Sequence, residues 1–121
     1  MSYTLHAPAG SFRAFKALIA AEYNGVDVTV ADFDAAAVSA LSPTGKAPIL
    51  QVNKTGDVIF ESNAIARFLA KIRSDTGLYG ESVMESAAID SWVDFAANEV
   101  ELPASIWFYP VAGYMPFSQE A

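Results

Sequence analysis

Glu61 and Ser62 stand at the head of a segment in which Ile65, Phe68, Leu69 and Ile72 recur at helical spacing. That places a carboxylate and a hydroxyl at a helix N-terminus. Unpaired amides and positive potential gather there, so a ligand carboxylate can dock on Ser62 while Glu61 takes an ammonium group. By residue type Ser62 is also a good N-cap, its hydroxyl accepting an amide proton from the first turn. Upstream, Pro48 follows Lys46 and Ala47 and opens the apolar run 49–52. A proline has no N–H for a ladder, which suits the first residue of a strand. If the bond before it is cis, the backbone of Ala47 turns outward and offers its amide and carbonyl at the sheet end. These groups together fit a ligand with both charges of an amino acid and a stretch of peptide backbone. Singly, each has a plainer reading: a cap, a strand boundary, a complement to the helix dipole. Their order and spacing carry the case.

The elements that must position these residues are legible around them. Runs 49–52 (ILQV) and 58–60 (VIF) are rich in branched and aromatic side chains, and the polar, glycine-bearing 53–57 between them predicts a hairpin. Residues 3–6 alternate and predict a first strand. Ser11 is the expected cap of a helix whose broad apolar surface runs through Phe12, Phe15, Leu18 and Ile19 to Tyr23. Asn24-Gly25 should stop it. Residues 26–30 predict a second strand, parallel to the first through the helix. Residues 32–41 are alanine-rich and read as a short helix or an irregular loop. The order is βαβαββα.

That order resembles the N-terminal, thioredoxin-like domain of glutathione transferases. In that family the proline before the third strand is cis, and the residue before it pairs its backbone with the cysteinyl part of glutathione. A Glu/Gln-Ser pair at the following helix holds the γ-glutamyl end. The resemblance therefore implies a glutathione site at Lys46, Ala47, Pro48, Glu61 and Ser62. Segments 11–21 (SFRAFKALIAA), 60–66 (FESNAIA), 92–96 (WVDFA), 103–107 (PASIW) and 110–113 (PVAG) narrow the likeness. They resemble the transferase-like region of the elongation factor 1 gamma family, over nearly the whole chain and most weakly across 26–41. The resemblance implies a non-catalytic assembly subunit of the translation elongation factor 1 complex, cytoplasmic, with the nucleotide-exchange subunit as partner. No cofactor is implied beyond glutathione as ligand or substrate.

The alternative reading is an active transferase that conjugates glutathione to electrophiles. Such chemistry needs a hydroxyl or thiol donor near the end of the first strand, to stabilise the bound thiolate. Tyr3, Thr4 and Ser11 are the hydroxyl candidates, and Ser11 is the catalytic candidate taken forward. In serine-type members the active hydroxyl lies four residues before an arginine of the first helix. Counting back from Arg13 reaches Ala9, which has none. His6 is a conceivable base.

Bulk composition bounds these readings. The chain has 121 residues, is 53% hydrophobic and carries a formal charge of −7. That balance argues against binding a nucleic-acid backbone and suits a soluble protein or one with a basic protein partner. There is no cysteine. Disulfides, thiolate metal sites and cysteine nucleophiles are excluded, and no other metal motif appears. Residues 1–10 lack the basic and apolar regions of a secretory leader. The uncharged stretch 102–119 contains Pro103, Pro110, Gly113 and Pro116, which are expected to break a spanning helix, so no membrane segment is predicted.

Past a linker at 74–77, Leu78 and Tyr79 are expected to pack back on the first domain. A second helix is expected from Met84, with Trp92 and Phe95 in its core. The predicted domains are 1–76, thioredoxin-like with a mixed sheet, and 77–121, a linker and the truncated start of an all-α domain. On that reading Ile106, Trp107, Phe108, Val111, Met115 and Phe117 lack part of their cover. The apolar 102–117 segment is then met by another chain, by self-association or by an altered fold of the tail.

Overall fold

Alternation in the first strand sets the frame: Tyr3, Leu5 and Ala7 are buried, while Thr4 and His6 are half-buried. The structure, a computed structural model, describes residues 1–113. It divides into Met1–Tyr79 and a second unit from Gly80 onward.

The first unit runs β1 (Tyr3–His6), α1 (Phe12–Tyr23), β2 (Val28–Ala31), α2 (Ala35–Leu41), β3 (Ile49–Val52), β4 (Val58–Phe60) and α3 (Ser62–Lys71). The sheet order is β2-β1-β3-β4. β1 and β2 are parallel, whereas β1–β3 and β3–β4 are antiparallel. This is the mixed sheet that the βαβαββα order predicts.

The core forms where α1 and α3 lie against the sheet. α1 contributes the buried alanines Ala14, Ala17, Ala20 and Ala21, whose small side chains let its axis approach α3 closely. α3 answers with Ile65 and Leu69, both fully buried, and the sheet with Leu5, Leu50 and Val52. Phe68 meets Tyr3 edge-to-face at 5.7 Å. Leu78 and Tyr79 pack against this cluster, and Lys71 Nζ sits 4.5 Å from the Tyr79 ring centroid.

Local chemistry explains the boundaries. Ser11 Oγ accepts from the Ala14 amide. Asp34 Oδ1 accepts from Ala36 and Ala37, which makes the alanine-rich stretch a helix rather than a loop. Gly25 adopts φ 61° and ends α1 in the left-handed region. The second strand begins two residues later than the sequence predicts. The Val26 amide is spent on the Ala21 carbonyl at 2.9 Å, closing the helix stop instead of a ladder.

The second unit, over its described residues, is a helical run: α4 (Val83–Phe95), a π-helical turn (Ala96–Glu101) and α5 (Leu102–Ala112). Ser82 caps α4 by accepting from the Glu85 amide, and the Glu85 carboxylate reaches back to the Glu81 amide at 2.6 Å. Pro103 and Pro110 do not break this helix, contrary to expectation, and Pro116 lies outside the described residues. Pro103 falls at the start of α5, where its lost N–H costs little, and the wide turn ahead of it relieves the ring's crowding. There the Leu102 amide donates five residues back, to Ala97. The run continues through Pro110 to Gly113, whose φ of 81° ends it. No helix among the described residues is long and apolar enough to cross a membrane. Trp92 and Phe95 are not core: they are 72% and 50% exposed, stacked edge-to-face on each other. No residue of α4 is buried. Met115 and Phe117, and the end of the 102–117 segment, lie outside the described residues.

Candidate functional site

Strand register brings the separated motifs to one end of the sheet. Ile49 pairs with Phe60, so Pro48, one residue before, and Glu61, one residue after, leave the hairpin at the same end. His6 pairs with both Ile49 and Ala31, so β1 also finishes there. The loop 7–10 then carries the chain from that end to Ser11 at the head of α1.

The Ala47–Pro48 peptide is cis. Lys46 is exposed, Ala47 half-buried and Pro48 buried, so burial deepens along the approach to β3. Opposite, Glu61 is the N-cap of α3 and holds φ 73°, ψ 119°, a conformation that a non-glycine residue rarely adopts. Its exposed carboxylate makes no capping bond. The expectation that Ser62 caps α3 is corrected: Ser62 is the first helical residue. The turn from β4 into the helix is made at Glu61, so Ser62 already has helical backbone. The first backbone bond of α3, Ile65 N–H to Glu61 O at 3.0 Å, leaves the earlier amides at the helix start.

The hydroxyl candidates separate cleanly. Tyr3 is buried and pairs with Val52, at the opposite end of β1 from the cis-proline. Thr4 donates to Asn53 Oδ1 at 2.7 Å, in the hairpin loop at that far end. Ser11 alone of the three follows the strand end, and it caps α1 through a 3.4 Å bond from Ala14. With a lone pair taken by that amide, its O–H proton is left to donate. His6 is half-buried at the strand end, with Nε2 3.3 Å from Gln51 Oε1.

Two side-chain ties fix α3 and escaped the sequence reading. Lys16 Nζ on α1 donates to Asn63 Oδ1 at 2.7 Å, next to Ser62. At the other end, Asn24 Nδ2 donates to the Leu69 and Ala70 carbonyls at 2.8 and 3.0 Å, and Asn24 Oδ1 accepts from Thr76 Oγ1. Neither tie has a local signal, since the partners lie more than forty residues apart in sequence. Beyond α3, Arg73 donates twice to the Asp75 carboxylate. These bonds, more than the charge itself, hold Asp75 below the ordinary carboxylate range.

A four-stranded mixed sheet with a cis-proline opening its third strand, and a helix launched from the end of the fourth, defines a thioredoxin-like domain of the transferase type. Residues 10–72 match the family model described as "Glutathione S-transferase, N-terminal domain", and the chain belongs to that family. Among curated proteins, elongation factor 1-gamma 1 of Oryza sativa subsp. japonica is 43% identical over all of this chain and 31% of its own length. Elongation factor 1-gamma of Danio rerio is 38% identical over 98% of this chain and 28% of its own length. The chain thus spans less than a third of the relatives it matches. Among solved structures, the theta class glutathione S-transferase of Xanthomonas axonopodis pv. citri, with glutathione bound, superimposes with a TM-score of 0.77 at 31% identity. The match covers 90% of this chain and 55% of that one. Na-GST-3 of Necator americanus shares the fold at a TM-score of 0.77 and 22% identity, over 99% and 57%.

Proposed function

We propose that this chain is the transferase-like part of an elongation factor 1-gamma subunit, serving in translation elongation as a non-catalytic assembly module that keeps a glutathione-binding end. The observation that carries the glutathione reading is the pairing of the cis Ala47–Pro48 peptide with the Glu61–Ser62 helix start across the Ile49–Phe60 register. The Ala47 backbone takes the cysteinyl segment. Ser62 and the first amides of α3 take the γ-glutamyl carboxylate, and Glu61 takes its ammonium. Lys46 stands exposed beside the glycyl end. The assembly reading draws its support from the whole-chain likeness to elongation factor 1-gamma proteins. Its partner is the nucleotide-exchange subunit and its compartment the cytoplasm.

Ser11 favours a second reading, a working transferase. Its O–H follows the strand end and can donate to a bound thiolate; the thiolate then adds to an electrophile, the thiol proton having passed to solvent. Calorimetry with glutathione, beside a chromogenic thiol-conjugation assay, separates the two. Binding without turnover is the expected result for the assembly module. Turnover abolished by Ser11→Ala would establish the enzyme instead. Co-precipitation of the exchange subunit from a eukaryotic lysate tests the partner, and its failure to come down removes the assembly reading.

A further inference from the structure

α1, α2 and α4 each begin with a side-chain cap. Ser11 accepts from Ala14, Asp34 from Ala36 and Ala37, and Ser82 from Glu85. α3 begins differently. Its N-cap residue, Glu61, makes no capping bond through its side chain, and no acid stands in the first turn. Helix ends without caps fray, because the first amides have no partner within the helix. Yet this end carries Ser62 and the amides assigned to the ligand.

A tie to this end comes from α1. Lys16 Nζ donates to Asn63 Oδ1 at 2.7 Å, across 47 residues of sequence, and both residues are half-buried. Asn63 is the second residue of α3, directly after Ser62. An ammonium group only donates, so it fixes the Asn63 carboxamide with its oxygen toward α1. The buried Ala14 and Ala17 on either side of Lys16 hold its backbone in the core. For helix stability alone lysine is the wrong choice. A cation at the N-terminal end of a helix opposes the dipole, whereas an anion there is favoured. A neutral donor would make the same bond to Asn63 without that penalty. Partly buried charges are also screened less by salt than exposed ones. The lysine therefore adds positive potential, at a cost to the helix, where a ligand anion would be received.

We propose that Lys16 is a positioning residue that sets the preference of this end for a carboxylate. Through Asn63 it steadies the first turn of α3 against α1 and brings a fixed charge to the start of that helix. The γ-glutamyl carboxylate of the ligand is then favoured over a neutral group of the same shape. This role rests on the glutathione reading of Glu61 and Ser62.

The probes are glutathione and its analogue with the γ-glutamyl carboxylate converted to a primary carboxamide, each titrated into the full chain by calorimetry. The unaltered chain is expected to favour the carboxylate at least tenfold. Lys16→Met should cut that ratio below threefold by weakening glutathione, whereas Lys16→Arg, which keeps a charge and a donor, should retain it. Asn63→Leu should reproduce the Lys16→Met loss, and the double variant should lose no more than either alone. An unchanged ratio in Lys16→Met overturns the proposal even where both ligands bind more weakly, because a purely structural role lowers the two together. Losses that add in the double variant overturn it too, since Lys16 would then act without Asn63. Urea unfolding checks that each variant folds; should Lys16→Met not fold, Asn63→Leu against Lys16→Arg reads the same ratio. An unaltered chain that binds neither ligand removes the glutathione reading and this role with it. One that binds glutathione without preferring the carboxylate removes the role alone.

Discussion

Replacing Asn24 by alanine removes the tie between the end of α1 and the end of α3. The side chain is fully buried and makes three hydrogen bonds, two as donor to the Leu69 and Ala70 carbonyls and one as acceptor from Thr76. At about 0.5–1.5 kcal/mol net for each bond, with polar groups left short of partners, the expected loss is ~2–4 kcal/mol. Against a domain stability of about 5–15 kcal/mol that is a large fraction. Thr76→Val removes only the third bond and should cost about 1 kcal/mol. Asn24→Asp should be worse than alanine near neutral pH, since it turns a donor into a buried carboxylate facing two carbonyl oxygens. Denaturant unfolding followed by far-ultraviolet circular dichroism measures all three. If Asn24→Ala costs no more than Thr76→Val, the two carbonyls have found other partners and the tie contributes nothing of its own.

Other perturbations test the site and its supports. Glu61→Gly relieves the φ of 73° and should stabilise the fold by about 1 kcal/mol while weakening glutathione binding. Calorimetry and unfolding should therefore move in opposite senses. Ser11→Ala should cost ~0.5–1 kcal/mol, the low end for a cap because its bond is long at 3.4 Å; unfolding measurements check it. Asp34→Ala should cost about 1 kcal/mol, seen as an earlier urea midpoint, because it strips two amides of α2 of their acceptor. The Arg73–Asp75 bonds depress the Asp75 pKa, so their contribution is present above the ordinary carboxylate pKa and is lost as pH falls through the depressed value. Asp75→Asn should flatten that part of the stability profile below about pH 4. The effect should be small, because both side chains are largely exposed.

How much was legible in the sequence follows from the range of each interaction. β1, the hairpin and α1 are written in local alternation, turn residues and caps, and all three stand where those signals put them. Residues 32–41 were ambiguous by pattern, yet Asp34 ahead of three alanines is a cap signal that decides for a helix. Ser82 and Glu85 likewise form a capping signature that sets the start of α4 one residue before Met84. The pairing of Pro48 with Glu61 was read from the order and spacing of the two motifs, and the register supplies its physical reason. Ser62 was misassigned as a cap because its residue type suits that role. Type does not reveal that the preceding glutamate would absorb the turn in a rare conformation. Trp92 and Phe95 were misread as core because helical periodicity marks an apolar face without saying whether anything covers it.

The site therefore depends on how α3 is held more than on the residues at its tip. Glu61 and Ser62 occupy one end of a ten-residue helix. Lys16 anchors that end to α1 through Asn63, and Asn24 anchors the other through the last carbonyls. The buried pair Ile65 and Leu69 fixes rotation about the axis between the two ties. All three restraints come from, or pack against, α1, whose alanines permit the approach. Enlarging one of those alanines should thus disturb the distance between Ser62 and the Ala47 backbone without touching either, because interiors packed this densely shift neighbouring elements rather than absorb new volume. The sequence motif names the groups proposed to meet glutathione. The spacing between the Glu61–Ser62 helix start and the cis Ala47–Pro48 peptide depends in this way on small side chains of α1, which enter neither.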